Sequence, residues 1–256
     1  MILSLKFSDL LTLAKFSAKR LQSEADYRVF QSFQAQLLLG YLSKYGVSLP
    51  GMKLLDLGSG IAGYALIFAQ QGAQVFCLDL QPPKIESSGN IVQVRGDALA
   101  LPFSRNQFDF IFCASLIEHV SDPLRLLNEI ETSLKPDGIA YISFPPYYSP
   151  NGGHEFSPYH YFGERLALRL VRRKDIIPAW VAEHYHSPEQ SESFADLYQG
   201  WGLYRMTIRK FRRLICSTNL ELINMSTRYF AVSVIRWPVL GELLTWHAQF
   251  LLRKRS

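Results

Sequence analysis

The chain has 256 residues, 48% of them hydrophobic, and a formal net charge of +5. That length fits one domain, or one domain with a large insertion, and the apolar content suffices for a sizeable core. No apolar run reaches the roughly 18 residues of a spanning helix, and Cys77, Cys113 and Cys216 lack both metal-ligand and CxxC spacing.

Up to about Gly46 the chain reads as helices. Near Ser4 to Arg20, Leu3, Phe7, Leu10, Leu11 and Ala14 fall on one side, with Lys6, Lys15, Lys19 and Arg20 elsewhere. Such a basic amphipathic helix suits either packing as a lid on the domain or peripheral contact with a membrane. Phe30, Phe33, Leu37, Leu38, Tyr41 and Leu42 recur at helical spacing in the next helix. From Met52 short apolar runs alternate with helices. Strands are predicted over Lys53–Leu57, Gln74–Asp79, Ile91–Val94, Phe108–Ala114 and Ile139–Phe144, and helices over Tyr64–Gln71 and Pro123–Leu134. This alternation predicts a parallel sheet with helices on both faces. Residues 147–203 break the rhythm with Pro, Gly, Tyr, His and Trp, and loops of that length are usually functional. A helix near Thr207–Ser217 and strands near Leu220–Arg228 and Thr245–Arg253 follow.

The excess positive charge lies after Asn151, in Arg165 to Lys174, Arg205 to Arg213 and Arg253 to Arg255. It allows an anionic substrate, a membrane surface or nucleic acid, and equally a set of solvated helix faces. Cys77 and Cys113 read as small core residues, which fits a reduced, cytoplasmic setting. Lys6 and Asp9 interrupt the first apolar stretch, against a signal peptide.

Gly58-Ser59-Gly60-Ile61-Ala62-Gly63 follows a strand and opens a helix. Glycines there allow a tight turn and close approach to a ligand. The letters spell GxGxxG, and Asp79 lies where a dinucleotide's ribose-binding acid belongs, so an NAD(P)-dependent oxidoreductase is one reading. Asp56 fits that reading poorly. A carboxylate beside a pyrophosphate repels it, whereas one beside a zwitterionic amino acid with a sulfonium is favourable.

With Asp56 the stretch Leu54-Leu55-Asp56-Leu57-Gly58-Ser59-Gly60 resembles the first motif of the class I S-adenosylmethionine-dependent methyltransferases, in particular those acting on small molecules. Ala62 stands where the usual third glycine falls, and Gly63, one place later, is expected to compensate. The resemblance continues in order through Asp79, Gly96 to Phe103, Phe108 to Ser115, Glu118-His119-Val120 and Leu134 to Gly138. It implies that Asp56, Gly58, Ser59 and Gly60 hold S-adenosylmethionine. Asp79, with Leu80, would take the ribose hydroxyls, Asp97 and Ala98 the adenine, and Ala114 and Ser115 would line the cleft. Tyr27, Phe30 and Gln31 resemble the helical lid of related proteins.

The expected fold is α/β, a Rossmann-like sheet of seven strands with the last antiparallel. Residues 1–50 form the helical lid, 51–146 and 204–256 the methyltransferase core, and 147–203 a substrate cap inserted after the fifth strand. The cap leaves the carboxyl end of a strand, where open α/β sheets bind ligands. Tyr147, Tyr148, His160 and Trp180 are its expected substrate contacts. Pro145-Pro146-Tyr147 follows the fifth strand, unlike the Pro-Pro-Tyr motif of nucleic-acid amino-methyltransferases, which ends the fourth. If the acceptor needs a general base, His154 is the first candidate and His119 the second, since imidazole titrates near neutral pH. No metal is expected. The acceptor is expected to be a small molecule such as a sugar, a lipid-linked intermediate or a quinone-like ring. An RNA methyltransferase is the alternative suggested by the basic C-terminal third, although no RNA-binding module is visible.

Overall fold

The structure, a computed structural model, describes residues 7–82, 89–171, 191–198, 200–228 and 233–256. Two helices come first, α1 (Phe7–Lys19) and α2 (Glu24–Lys44). Ser23 starts α2 by accepting the backbone N–H of Asp26 at 3.0 Å, which satisfies a donor that the first turn leaves open. Then come β1 (Lys53–Leu57), α3 (Gly63–Gln70), β2 (Gln74–Asp79), β3 (Ile91–Arg95), β4 (Phe108–Ala114), α4 (Pro123–Ser133) and β5 (Leu134–Phe144). The segment beyond β5 contains α5 (Glu164–Val171). The chain ends with α6 (Ile208–Ile215), β6 (Leu220–Thr227), α7 (Leu240–Leu244) and β7 (Ala248–Lys254).

The seven strands lie in the order β3-β2-β1-β4-β5-β7-β6. β1 to β5 are parallel, and β7 runs antiparallel between β5 and β6. The pleat sorts the core onto two faces. Leu54, Phe110, Phe112 and Tyr141 meet α2 and α3, while Leu55, Ile111, Cys113 and Ile142 meet α4 and α6. The segment between β5 and α6 has an apolar cluster of its own, with Phe156, Leu168, Phe194 and Leu203 among its members. Among the described residues no helix is long and apolar enough to cross a membrane.

The starts of two strands differ most from the sequence reading. β5 begins at Leu134 instead of Ile139, where the Lys135 ammonium reaches Asp109 at 2.7 Å and the register against β4 shifts. β7 begins at Ala248 instead of Thr245, because the Thr245 N–H still donates to the Gly241 carbonyl of α7 at 3.1 Å. Glu242 of α7 accepts the backbone N–H groups of Ile208 and Arg209 at 3.0 and 2.9 Å, placing a carboxylate at the positive end of α6.

The N-terminal helices cover one face near the glycine loop. α1 packs on α2 through Phe16 and Phe33, ring centroids 5.5 Å apart, and buries no residue completely. α2 lies directly on the start of α3. Gln31 accepts the N–H of Gly63 at 3.1 Å, and Ser32 donates to its carbonyl at 3.2 Å. A Cβ on Gly63 would stand 2.5 Å from the Gln31 Cβ and 3.0 Å from the Arg28 carbonyl. The last glycine of the GxGxxG string therefore serves helix packing. Gly63→Ala is expected to cost about 1–3 kcal/mol by overpacking, read as a lowered midpoint of thermal unfolding. An unchanged midpoint would show that α2 is not seated there.

Candidate functional site

The sheet order sets the carboxyl ends of β3, β2, β1 and β4 side by side, so Asp97, Asp79, Asp56 and the pair Ala114–Ser115 share one rim. Between them runs the loop after β1. The Leu78 carbonyl accepts the N–H groups of Gly58 and Ser59 at 2.9 and 3.2 Å, and Asp79 Oδ2 accepts that of Gly60 at 2.9 Å. Gly58 and Gly60 have φ of 74° and 51°, the left-handed region that favours glycine. A Cβ on Gly58 would also press on Leu116 at 3.1 Å. Ala62 and Ser115 take the same left-handed conformation, at 61° and 53°, without being glycine. Non-glycine residues held there mark strained, often functional, loops.

Asp56 is 2% exposed, and its Oδ2 has no hydrogen-bond partner among the described residues. Burial first, and the neighbouring Asp79 second, push its carboxyl up to about 8. The Ser59 hydroxyl is likewise buried without a partner there. A polar group in that state is costly unless something satisfies it. The chemistry missing beside Asp56 is a cation or a donor, which suits the ammonium and sulfonium of an S-adenosyl amino acid. Asp79 uses one oxygen on Gly60 and the other on the N–H of Gln81 at 3.1 Å. Each carboxylate oxygen keeps a second lone pair for a diol. Asp97 is exposed, and its Oδ1 accepts the N–H of Leu99 at 2.8 Å, so it also shapes its own turn. Ala98 is buried behind it, and Leu80 stands 36% exposed beside Asp79.

The elevated Asp56 carboxyl gives a pH dependence. Its folded value lies above the unfolded carboxylate value of about 3.9, so between about pH 4 and pH 8 the folded chain binds more protons than the unfolded one. Stability without ligand therefore falls as pH rises through that window. A cationic ligand favours the ionised carboxyl, so S-adenosylhomocysteine is expected to bind more tightly as pH rises, by up to about tenfold per unit below pH 8. Calorimetry at several pH values checks this, and a flat profile would remove Asp56 from contact with the ligand's amino group.

Past β4 the chain carries Glu118 and His119, both buried, toward the segment that leads into α6. The Glu118 and His119 carbonyls accept the N–H groups of Tyr204 and Gly202 at 2.7 and 3.1 Å. His119 Nδ1 faces the Gly202 carbonyl at 2.7 Å. A carbonyl only accepts, so Nδ1 carries the proton and Nε2 presents a lone pair. Burial, then the charge on His154, hold the His119 imidazole well below its ordinary value. Trp201 meets the His119 ring edge-on at 4.4 Å and is stacked on Tyr198 at 4.0 Å.

His154 arrives from the other side. Its φ of 49° is left-handed, and its ring lies 4.8 Å from that of His119. Its Nε2 stands 3.7 Å from Glu118 Oε1, and His119 Nε2 stands 4.0 Å from the same oxygen. Both separations exceed hydrogen-bond length. Burial opposes protonation of His154, and the Glu118 carboxylate outweighs it, leaving the imidazole above its ordinary value. Burial likewise raises the Glu118 carboxyl, against the opposing pull of His154. Gly152 and Gly153 aim this loop. A Cβ on the first would meet the Pro146 and Tyr147 carbonyl oxygens, and one on the second would strike the His160 ring.

The other residues expected to contact a substrate divide. His160 is buried, with Nε2 2.9 Å from the Tyr147 carbonyl, while the Tyr147 hydroxyl donates to the His160 carbonyl at 3.2 Å. These two side chains hold the loop that presents His154. Tyr148 is partly open, with the Arg205 guanidinium 5.8 Å from its ring centre. Trp180 lies outside the described residues.

Sequence reading had missed two groups here. Arg228, 3% exposed at the end of β6, donates to the Tyr64 hydroxyl at 2.6 Å and lies 3.5 Å from Ser143 Oγ. His247 is buried and held well below its ordinary value by burial, then by Arg228 and His154. An arginine at a strand end was visible in the sequence, but nothing local tied it to His247 or to Tyr64 of α3. Spacing along the sequence shows no metal-ligand set. Glu118, His119 and His154 offer ligand atoms all within 4.8 Å of one another, although β5 separates them in sequence.

Comparison with known proteins gives the family. A family model described as a methyltransferase domain matches residues 55–142. An uncharacterized methyltransferase of Mycobacteroides abscessus is 28% identical over 222 residues, covering 82% of this chain and 79% of that one. One from Mycolicibacterium vanbaalenii is 30% identical over 183 residues, covering 66% of this chain and 72% of its own length. A Mycobacterium leprae relative is 34% identical over 140 residues, about half of each chain. Among solved structures, an S-adenosylmethionine-dependent methyltransferase from Mesorhizobium loti superposes with a TM-score of 0.54 at 15% identity, covering 83% of this chain and 95% of that one. One from Methanosarcina mazei does so with the same score and identity, covering 84% and 97%. Such low identities speak for the fold alone.

Proposed function

The chain belongs to the S-adenosylmethionine-dependent methyltransferases, and on that footing we propose that its methyl acceptor is a small molecule held between the strand-end rim and the cap. The observation that carries this reading is enclosure. Glu118 and His119 are 2% and 4% exposed, roofed by Trp201 and Tyr198 and reached from the far side by His154. An enclosed, aromatic site suits a small ligand. A polynucleotide needs an open, basic track. The exposed basic residues of α6, Arg209, Lys210, Arg212 and Arg213, lie on an outward helix face.

S-adenosylmethionine supplies an electrophilic methyl group on a positively charged sulfur. Asp56, Ser59 and the glycine loop would hold its amino-acid end, Asp79 the ribose, and Asp97 with Ala98 the adenine. The acceptor atom forms its bond to the methyl carbon as the carbon–sulfur bond breaks, with that electron pair staying on sulfur. Much of the rate for such a displacement can come from positioning and desolvation. The chain's task is then to orient the acceptor and exclude water. Residues 147–203 do this as a substrate cap, with His154 against the acceptor's nucleophilic atom and His119 behind it. Tyr148, with the exposed Arg205 guanidinium 5.8 Å from its ring centre, is the partly open aromatic group offered to a ring, a sugar or an anionic acceptor. Comparative metabolite profiling of a deletion strain tests the reading. A small compound lighter by one methyl group supports it, and loss of methylation confined to RNA would overturn it.

A further inference from the structure

We propose that Glu118, His119 and His154 form a site for a divalent first-row transition-metal ion that leaves one position open to an oxygen of the acceptor. This rests on the acceptor-site reading above and adds that the acceptor carries a hydroxyl or similar oxygen at the atom to be methylated.

The donor set comes first. One carboxylate and two imidazoles lie with their ligand atoms within 4.8 Å of one another. The Glu118 oxygen is 3.7 Å from His154 Nε2 and 4.0 Å from His119 Nε2. Metal bonds of about 2.0–2.2 Å set donor atoms roughly 3–4 Å apart, so a pair at the 4.8 Å limit closes by about 1–2 Å on binding. Mixed nitrogen and oxygen donors suit zinc, iron or manganese better than the all-oxygen shells of magnesium or calcium.

The second argument is preorganisation. The bond from His119 Nδ1 to the Gly202 carbonyl fixes the ring so that Nε2 presents its lone pair inward, the usual outer-shell support of a metal-bound histidine. His154 is aimed by a left-handed backbone and two glycines that packing leaves no room to replace.

The third is an unmet requirement. Glu118 is 2% exposed, yet neither carboxylate oxygen has a hydrogen-bond partner among the described residues, and His154 Nε2 is buried in the same condition. Buried carboxylates are ordinarily hydrogen-bonded or bound to metal, and the contacts of Glu118 here are ion pairs to His154 and His119 at 3.7 and 4.0 Å, longer than hydrogen bonds. Three protein ligands is the number found in catalytic metal sites, whereas closed structural sites use four. An ion there would lower the pKa of a coordinated hydroxyl and orient it.

Tag-free protein stripped with EDTA and titrated with Zn(II) by calorimetry and with Co(II) by visible absorption tests the site. One equivalent is expected to bind, with the cobalt spectrum of nitrogen and oxygen ligation. Glu118→Gln and His154→Asn are each expected to weaken binding by about 100-fold or more, at least the cost of losing an outer-shell partner. S-adenosylhomocysteine affinity, measured on the same samples, should stay within about twofold if the fold is intact. If the wild type takes up neither ion, or if both substitutions leave binding unchanged, the metal site is overturned, and Glu118 and His154 form an ion pair only. Loss of S-adenosylhomocysteine binding in the wild type itself would instead overturn the methyltransferase reading on which the proposal rests.

Discussion

Replacing His154 by alanine is expected to lower kcat by about 10²–10⁴-fold, the range for removing a group that handles the reacting proton or its oxygen, with S-adenosylhomocysteine affinity nearly unchanged. The expectation follows from where the side chain stands. It projects from a loop held by the mutual pinning of Tyr147 and His160, meets Glu118 at 3.7 Å and lies ring to ring with His119. The cofactor loop belongs to β1 and β2, so the effect should fall on turnover. Alanine keeps the strained left-handed φ of 49°, and this could loosen the loop. His154→Asn is the companion variant, because asparagine tolerates that conformation well. Steady-state kinetics on both variants, once an acceptor is in hand, give the readout. Wild-type kcat in both would reduce His154 to scaffold.

Asp79→Ala is expected to weaken S-adenosylhomocysteine by about 1.5–3 kcal/mol, roughly 10- to 150-fold, the scale for hydrogen bonds to a charged group. Part of that loss would be indirect, because Asp79 also holds the N–H of Gly60 in the glycine loop at 2.9 Å. Asp79→Asn separates the two contributions. Its amide oxygen can still accept from Gly60, while the negative charge is gone and only one of the two positions can accept. An intermediate loss for asparagine is expected by calorimetry. Equal affinity in all three proteins would remove Asp79 from the site.

Much of this site was legible in the sequence because its parts are local. Each of Asp56, Asp79 and Asp97 ends or follows a short apolar run, and runs that alternate with helices imply neighbouring parallel strands. The carboxyl ends of such strands meet at one rim whatever the loops do. Reading Gly63 as a substitute for the missing loop glycine missed its role. Its lack of a side chain serves Gln31 of α2, a contact 32 positions away that leaves no trace in the local letters. α7 hid inside an apolar run for a similar reason, since its Glu242 is fixed by the start of α6. The Glu118–His119–His154 cluster was the least visible part. Its members come from opposite sides of β5 and meet because the returning chain at Gly202 and Tyr204 pairs with the backbone after β4. Spacing rules for metal ligands see neighbours in sequence, and this set has none of that spacing.

The central claim is methyl transfer from S-adenosylmethionine to a small molecule at this rim. The most direct test is to incubate the protein with tritium-labelled S-adenosylmethionine and an extract of the deletion strain, then separate small molecules, lipids, RNA and protein. The account predicts label in a small-molecule or lipid-linked compound, insensitive to ribonuclease and absent with the Asp79→Ala variant at limiting cofactor. Label that appears only in RNA or protein, or no transfer by a chain that binds NADH and not S-adenosylhomocysteine, would contradict it.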